Sequence, residues 1–68
     1  MPKLTMKAAR INAGFTQKEA ANKLEVSNKT LSRWENNVSV PNAEKIEAIC
    51  NLYNVHYDNI IFFVRKNA

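Results

Sequence analysis

Four polar residues near the middle of the chain have a spacing that places them on one side of a helix. They are Asn28, Lys29, Ser32 and Arg33. In the major groove of DNA an asparagine pairs with adenine, a lysine or arginine pairs with guanine, and a serine bonds with either base. No acidic residue interrupts this face before Glu35. The four side chains therefore predict a helical face that reads base edges.

The other residues of the same segment predict a buried face behind the polar one. Ser27 is a suitable N-cap for a helix over residues 28–35, and Leu31 and Trp34 lie three residues apart on its other side. Trp34 is therefore expected in the core and not as a stacking platform for bases. The asparagine pair at 36–37 is expected to end the helix, because asparagine tolerates a left-handed backbone.

A second capped helix comes directly before this one. Thr16 and Glu19 have the spacing of a capping box, and apolar residues follow them at helical intervals. Only residues 25–27 separate the two helices, so their axes must cross at a steep angle, with the small Ala21 at the crossing point. This arrangement predicts a helix-turn-helix over about residues 16–36.

The rest of the chain predicts three more helical segments. A first helix begins after Thr5 and ends before Gly14, and a fourth begins after Asn42. Residues 55–60 are typical of a final short turn of helix. The apolar residues 61–64 are expected to form a brief strand or a docked extension. The fold class predicted is therefore all-α, with five helices.

Length and charge indicate one small domain that meets a polyanion. We expect a single compact domain over residues 1–68, with a short C-terminal extension or strand. The net charge of the 68 residues is +4. Residues 1–33 carry seven Lys and Arg against two Glu, whereas residues 34–68 carry three basic residues against four acidic ones. Because the excess positive charge lies in the first half, that half is expected to face nucleic acid.

The sequence offers no residue cluster suited to catalysis or metal binding. Cys50, the single cysteine, lies on the apolar stripe of the fourth helix beside Tyr53, and both are expected in the core. His56 has no second ligand at metal-binding spacing. No apolar run approaches the roughly 18 residues of a membrane span, and no signal-peptide pattern is evident. We therefore expect a cytoplasmic, non-enzymatic protein with no cofactor and no metal.

The string GFTQKEAANKLEVSNKTLSRWENNVSVPN resembles the Cro/cI-type helix-turn-helix family, also called the XRE family. The family pattern has a hydrophobic residue, Ser or Thr and Gln after a Gly, then an apolar turn residue, and then an aromatic-Glu pair followed by Pro. Nearly every element occurs here in order, and the resemblance extends over about residues 4–61. It implies a compact lambda-repressor-like fold and binding of double-stranded DNA.

The resemblance also implies a role for individual side chains. The start of the family's second helix holds a DNA phosphate, as a helix N-terminus does on physical grounds. The outer face of the third helix reads bases. The implied base-reading residues are Asn28, Lys29, Ser32 and Arg33, and the implied backbone-contacting residues are Thr16, Gln17, Ser27 and Asn36.

Two further positions match a structural pair, and two depart from the pattern. Arg10 and Glu35 match residues that many members join in a partly buried salt bridge, and Arg10 lies on the apolar face of the first helix. Glu25 stands where the family often has Gly in the turn, and Asn37 replaces the Gly after the third helix. A non-Gly residue in a left-handed conformation costs roughly 1–2 kcal/mol.

The function expected from these features is a transcriptional regulator, most simply a repressor that occupies an operator. The resemblance to small phage and prophage repressors implies a homodimer on DNA, and the apolar region Ile60–Val64 is the expected contact. No small-molecule effector is expected. Two alternatives stay open: the antitoxin of a toxin–antitoxin pair, and a helix-turn-helix module that binds proteins and not DNA.

Overall fold

Residues 3–62 fold into four α-helices, and a two-stranded parallel pairing joins a segment near their start to one near their end. The structure is a computed structural model that describes residues 3–62. In chain order the elements are β1 (Leu4–Thr5), α1 (Met6–Asn12), α2 (Gln17–Leu24), α3 (Asn28–Glu35), α4 (Ala43–Tyr53), a 3-10 helix (Tyr57–Asn59) and β2 (Ile60–Ile61).

Each α-helix begins immediately after a residue whose side chain caps it. In every case a side-chain oxygen accepts a hydrogen bond from the backbone N–H three residues further on, at 2.9–3.1 Å. Such a cap satisfies one of the N–H groups that a helix leaves unpaired at its start. The four caps predicted from the sequence are confirmed: Thr5, Thr16, Ser27 and Asn42.

Left-handed residues follow or end the same helices. Gly14 has φ 87°, and Glu25, Asn37 and Asn54 have φ between 54° and 63°. The left-handed conformation lets the chain reverse while its N–H groups bond to the last carbonyls of the helix. The helix ends predicted at Gly14 and at the 36–37 asparagine pair are therefore confirmed.

The predicted fifth helix is a single 3-10 turn, so the count of five helices is not confirmed. Tyr57–Asn59 form this turn after His56, whose side chain makes no capping hydrogen bond. Three residues are too few to offset the cost of starting an α-helix. The chain then enters β2, where Ile60 pairs with Leu4.

The sequence predicts only one of the two paired strands, the C-terminal one. β2 covers Ile60–Ile61 and not the whole run expected over 61–64, of which residues 63 and 64 lie outside the described part. Its partner, Leu4–Thr5, carries no strand signal, because two residues are too short to show an alternating pattern.

The core lies where the four α-helices meet. Leu31 and Ile49 are fully enclosed, and Trp34, Tyr53 and Ile60 are at least 93% buried. The core positions predicted for Leu31, Trp34 and Tyr53 are confirmed. Alanines let the helices approach at the centre. The remaining core residues are Met6, Ala9, Ala20, Ala21 and Leu24.

One predicted core residue lies at the edge of the core instead. Cys50 is half-buried, although it shares the apolar stripe of α4 with Ile49 and Tyr53. Partial desolvation raises the pKa of its thiol. No helix among residues 3–62 has the length and apolarity needed to cross a membrane.

Candidate nucleic-acid interface

The junction between α2 and α3 turns the chain sharply over three residues. Glu25 is left-handed, at φ 60° and ψ 42°, and the Val26 N–H donates to the Ala21 carbonyl at 3.0 Å. The Val26 side chain packs against the core at the corner. Ala21 is 3% exposed, so its small side chain permits the close approach that the sequence predicted.

The two faces of α3 differ as the spacing predicted. Leu31 and Trp34 fix one face in the core. Asn28, Lys29 and Arg33 are exposed on the other, and Ser32, the fourth predicted base-reading residue, is half-buried. Because both inward residues are almost fully buried, α3 presents its outer side chains from a rigid position.

Two hydrogen bonds connect side chains of this outer surface. Asn28 Nδ2 donates to Gln17 Oε1 at 3.2 Å, which joins α3 to the first turn of α2. Asn36 Nδ2 donates to Ser32 Oγ at 3.2 Å. The structure therefore brings together predicted base-reading residues and predicted backbone-contacting ones.

A buried ion pair lies beneath this surface. Arg10 Nε donates to Glu35 Oε2 at 2.8 Å and Arg10 Nη2 to Glu35 Oε1 at 3.3 Å. The two side chains are 9% and 3% exposed. Arg10 Nη1 also donates to the Phe15 carbonyl at 2.9 Å. The pair thus joins α1, the loop before α2 and the end of α3.

The ion pair is also connected to the outer surface through Gln17. Gln17 Nε2 donates to Glu35 Oε1 at 3.1 Å, while Gln17 Oε1 accepts from Asn28. The resemblance implies a phosphate contact for Gln17 and a structural role for Glu35, but no contact between the two side chains. No local spacing signals a contact between side chains 18 residues apart.

The N-terminus of α2 carries the capping box that the sequence predicted. The Thr16 N–H donates to Glu19 Oε1 at 2.9 Å, and the Glu19 N–H donates to Thr16 Oγ1 at 3.1 Å. The hydrogen bond from the Thr16 backbone lowers the pKa of Glu19, and the Thr16 hydroxyl lowers it further. Since the Thr16 N–H is already bonded, the N–H groups of the next residues, Gln17 and Lys18, are the ones left for an anion.

The hydroxyl of Ser27 is occupied in a similar way at the start of α3. Its Oγ accepts from the Thr30 N–H at 3.0 Å and bonds with Thr30 Oγ1 at 2.9 Å. Ser27 is exposed, but its hydroxyl is already bonded to Thr30. A ligand at this end of α3 would therefore meet the free backbone N–H groups of the first turn and not the hydroxyl.

One contact that supports the interface was not predicted. Lys45 Nζ, on α4, donates to the Leu24 carbonyl at 2.7 Å. Leu24 is the last residue of α2, directly before the left-handed Glu25. The ammonium group therefore pairs with the partly negative end of the helix that precedes the turn.

Exposed cations lie on both α2 and α3. Lys18 and Lys23 on α2 are exposed, like Lys29 and Arg33 on α3. Within residues 3–62 no three His, Cys, Asp or Glu side chains converge as metal ligands would. The arrangement can hold an extended polyanion and offer it amide, hydroxyl and guanidinium hydrogen bonds.

The chain is similar to known helix-turn-helix proteins. A family described as "Helix-turn-helix" matches residues 6–60, which include all four α-helices. Over 56 residues the chain is 43% identical to the HTH-type transcriptional regulator ImmR of Bacillus subtilis (strain 168). That alignment covers 82% of this chain and 44% of ImmR. The chain thus spans less than half the length of the regulator it matches.

Proposed function

The chain belongs to the Cro/cI-type (XRE) helix-turn-helix family, and we propose that it is a transcriptional repressor that binds a specific operator in duplex DNA. The observation that carries this proposal is the outer face of α3. It exposes Asn28, Lys29 and Arg33 above a core fixed by Leu31 and Trp34. ImmR, to which the chain is similar, is a transcriptional regulator, and this similarity supports the same class of activity.

In this proposal α3 enters the major groove and α2 crosses the adjacent backbone. Amide, ammonium and guanidinium groups on α3 match base edges in the major groove. The free N–H groups at the start of α2 bind a phosphate, which fixes the register without reading sequence. The proposed base-reading residues are Asn28, Lys29, Ser32 and Arg33; the proposed backbone-contacting residues are Thr16, Gln17, Ser27 and Asn36.

In this proposal the protein represses transcription through the place at which it binds DNA and not by catalysing a reaction. A protein bound across a promoter excludes polymerase, so occupancy of the operator is sufficient. We propose that the protein acts in the cytoplasm, where such a promoter is accessible, and that it regulates genes of a phage or another mobile element. No small ligand is needed for this mode of action.

We also propose that two copies bind one operator. Helix-turn-helix dimers read two half-sites about 34–36 Å apart, so one small domain needs to read one half-site only. Ile60, part of the contact expected from the sequence, is 5% exposed and buried within its own chain, so it cannot meet a partner. Exposed apolar side chains that can do so are Ile11, Val38, Val40 and Tyr57.

Selection of bound sequences from random duplex DNA tests the proposed function. We expect one enriched motif with two similar halves. Arg33→Ala should lose roughly 1–3 kcal/mol of binding and relax preference at one base pair. Lys18→Ala, on the proposed phosphate-contacting helix, should weaken binding to every sequence and reduce the salt slope by about one unit.

Three results would each contradict a different part of the proposal. If the wild-type protein enriches no motif, it is not an operator-binding repressor. If Arg33→Ala weakens all sequences equally, Arg33 contacts the backbone and not a base. Sedimentation of the protein with the selected duplex measures stoichiometry, and one chain per duplex would contradict the dimer.

A further inference from the structure

The chain closes the end of α3 with two backbone hydrogen bonds. The Val38 N–H donates to the Arg33 carbonyl at 2.9 Å, and the Asn37 N–H donates to the Trp34 carbonyl at 3.3 Å. Asn37 has φ 63°. Two such bonds around a left-handed residue form a Schellman motif. The motif brings Val38 back against the last turn of α3.

The motif also determines which side chain Val38 lies beside. In a Schellman motif the side chain directly after the left-handed residue commonly contacts the side chain five positions before it. In this chain those two residues are Val38 and Arg33. The apolar stem of an arginine suits such a contact, because it leaves the guanidinium group free to bind a ligand. Val38 therefore lies at the edge of the outer face of α3, next to a proposed base-reading residue.

The side chain of Val38 is apolar, but the chain does not bury it. Val38 is 57% exposed, and Arg33 is exposed as well. A ligand that covers this apolar surface removes it from water, which favours binding. In the major groove the apolar group on the base edges is the C5-methyl of thymine, and apolar side chains contact it. Among the four bases thymine is therefore the one that an exposed valine at this position matches.

Resting on the proposed function, we infer that Val38 contacts the C5-methyl of an operator thymine beside the base pair that Arg33 reads. Base pairs are about 3.4 Å apart along the duplex, so a side chain next to Arg33 reaches only neighbouring pairs. Amide, ammonium and guanidinium groups bind by hydrogen bonds, and a methyl group offers them no donor or acceptor. Val38 therefore adds a preference for thymine that the polar groups of α3 do not provide.

The test replaces thymine by deoxyuridine, one position at a time in both halves of the selected operator. Deoxyuridine lacks only the C5-methyl and keeps every hydrogen-bonding group of thymine. The wild-type protein is expected to lose roughly 4-fold in affinity per half-site at one position, as for one methyl-sized group returned to water. That thymine should lie within about two base pairs of the pair at which Arg33→Ala relaxes preference.

Two alanine variants assign the effect to one side chain. Val38→Ala should bind the thymine duplex roughly 4-fold more weakly per half-site than the wild type does, and the deoxyuridine duplex as tightly as the wild type does. Val40→Ala is the matched control, because Val40 is 48% exposed in the same loop, and it should keep the preference for thymine. Both side chains are exposed, so we expect both variants to fold, which circular dichroism checks.

Three results overturn the inference while the proposed function stands. If Val38→Ala keeps the preference for thymine, another side chain contacts the methyl group. If no thymine near the pair read by Arg33 matters to the wild-type protein, or the motif has none there, Val38 does not contact a base. If Val38→Ala weakens both duplexes by the same factor and binds as one chain per duplex, Val38 joins two copies of the chain. If the wild-type protein selects no motif, the proposed function itself fails and the inference fails with it.

Discussion

The ammonium group of Lys45 lies 2.7 Å from the carbonyl oxygen of Leu24. This contact joins α4 to the last residue of α2. Lys45 therefore satisfies a carbonyl that the end of a helix would leave unpaired, at the point where the chain turns toward the proposed recognition helix.

Lys45→Met is expected to lower the free energy of unfolding by about 1–2 kcal/mol. The variant keeps the apolar stem but removes a charged hydrogen bond to a half-buried carbonyl. Lys23→Met is the matched control, since Lys23 is an exposed cation in the same last turn of α2 and should change stability by less than about 0.5 kcal/mol. Urea unfolding measures the stability of both variants. Equal losses of stability would show that the positive charge near the end of α2 matters and the hydrogen bond from Lys45 to Leu24 does not.

Glu25→Gly is expected to stabilise the protein by about 1 kcal/mol. Glu25 has φ 60°, a conformation that costs a residue with a Cβ roughly 1–2 kcal/mol, and the greater freedom of glycine in the unfolded chain offsets part of the gain. Glu25→Ala removes the same charge but keeps the Cβ, so it should leave stability nearly unchanged. A gain in both variants would attribute the effect to the carboxylate.

Gly14→Ala is the reciprocal experiment and should destabilise. Gly14 has φ 87°, and a Cβ built there meets no atom within 4 Å. Any loss therefore reports backbone strain without a steric clash, and we expect about 1–2 kcal/mol. Thermal unfolding measures it, and an unchanged midpoint would contradict the account of both turns.

Features that depend on neighbours in sequence were predictable, because capping is local chemistry. Thr16 and Glu19 had to be three residues apart to cap α2, and they cap it. The same holds for Ser27 at the start of α3 and for the inward spacing of Leu31 and Trp34. These features made it possible to predict the helix-turn-helix and the side of α3 that is exposed.

Features that depend on tertiary contact were not predictable in the same way. The bond between Gln17 and Glu35 and that between Lys45 and Leu24 join residues 18 and 21 positions apart. Side chains of these types are usually solvated, so nothing in their local pattern distinguishes them. The pairing of Leu4 with Ile60 was not predictable for a related reason, since a strand of two residues is too short to show an alternation of apolar and polar side chains.

Tyr53→Phe is expected to leave the protein as stable as the wild type or to stabilise it by about 1 kcal/mol at pH 7. Tyr53 is 5% exposed, and within residues 3–62 its hydroxyl is buried without a hydrogen-bond partner. Removal of an unpaired buried hydroxyl removes a desolvation cost while the ring stays packed. Urea unfolding measures the change, and a loss above about 1 kcal/mol would show that the hydroxyl is bonded in the folded protein.

The same variant should alter the dependence of stability on alkaline pH. Burial raises the pKa of Tyr53 from its ordinary value of 10.0 to about 12, and the Glu35 carboxylate adds to the rise while Arg10 opposes it. Between these values the unfolded chain loses the proton and the folded chain keeps it, so the tyrosine makes stability fall as pH rises. The advantage of Tyr53→Phe over the wild type should therefore grow from pH 9 to pH 11. Tyr57→Phe, which removes an exposed hydroxyl, is the control, and an advantage for Tyr53→Phe that is the same at both pH values would contradict the raised pKa.

Removal of one partner of the Arg10–Glu35 pair should cost more than removal of both. Arg10→Met leaves a carboxylate that is 3% exposed without its cation and is expected to cost roughly 3–5 kcal/mol. A chain of this length has a total stability of about 3–10 kcal/mol, so the single variant should be partly or largely unfolded at 25 °C. Arg10→Met/Glu35→Leu replaces both charges by apolar groups and should regain most of the loss, as measured by urea unfolding. A double variant no more stable than Arg10→Met would mean that the pair's packing, and not its charge balance, stabilises the junction of α1, α2 and α3.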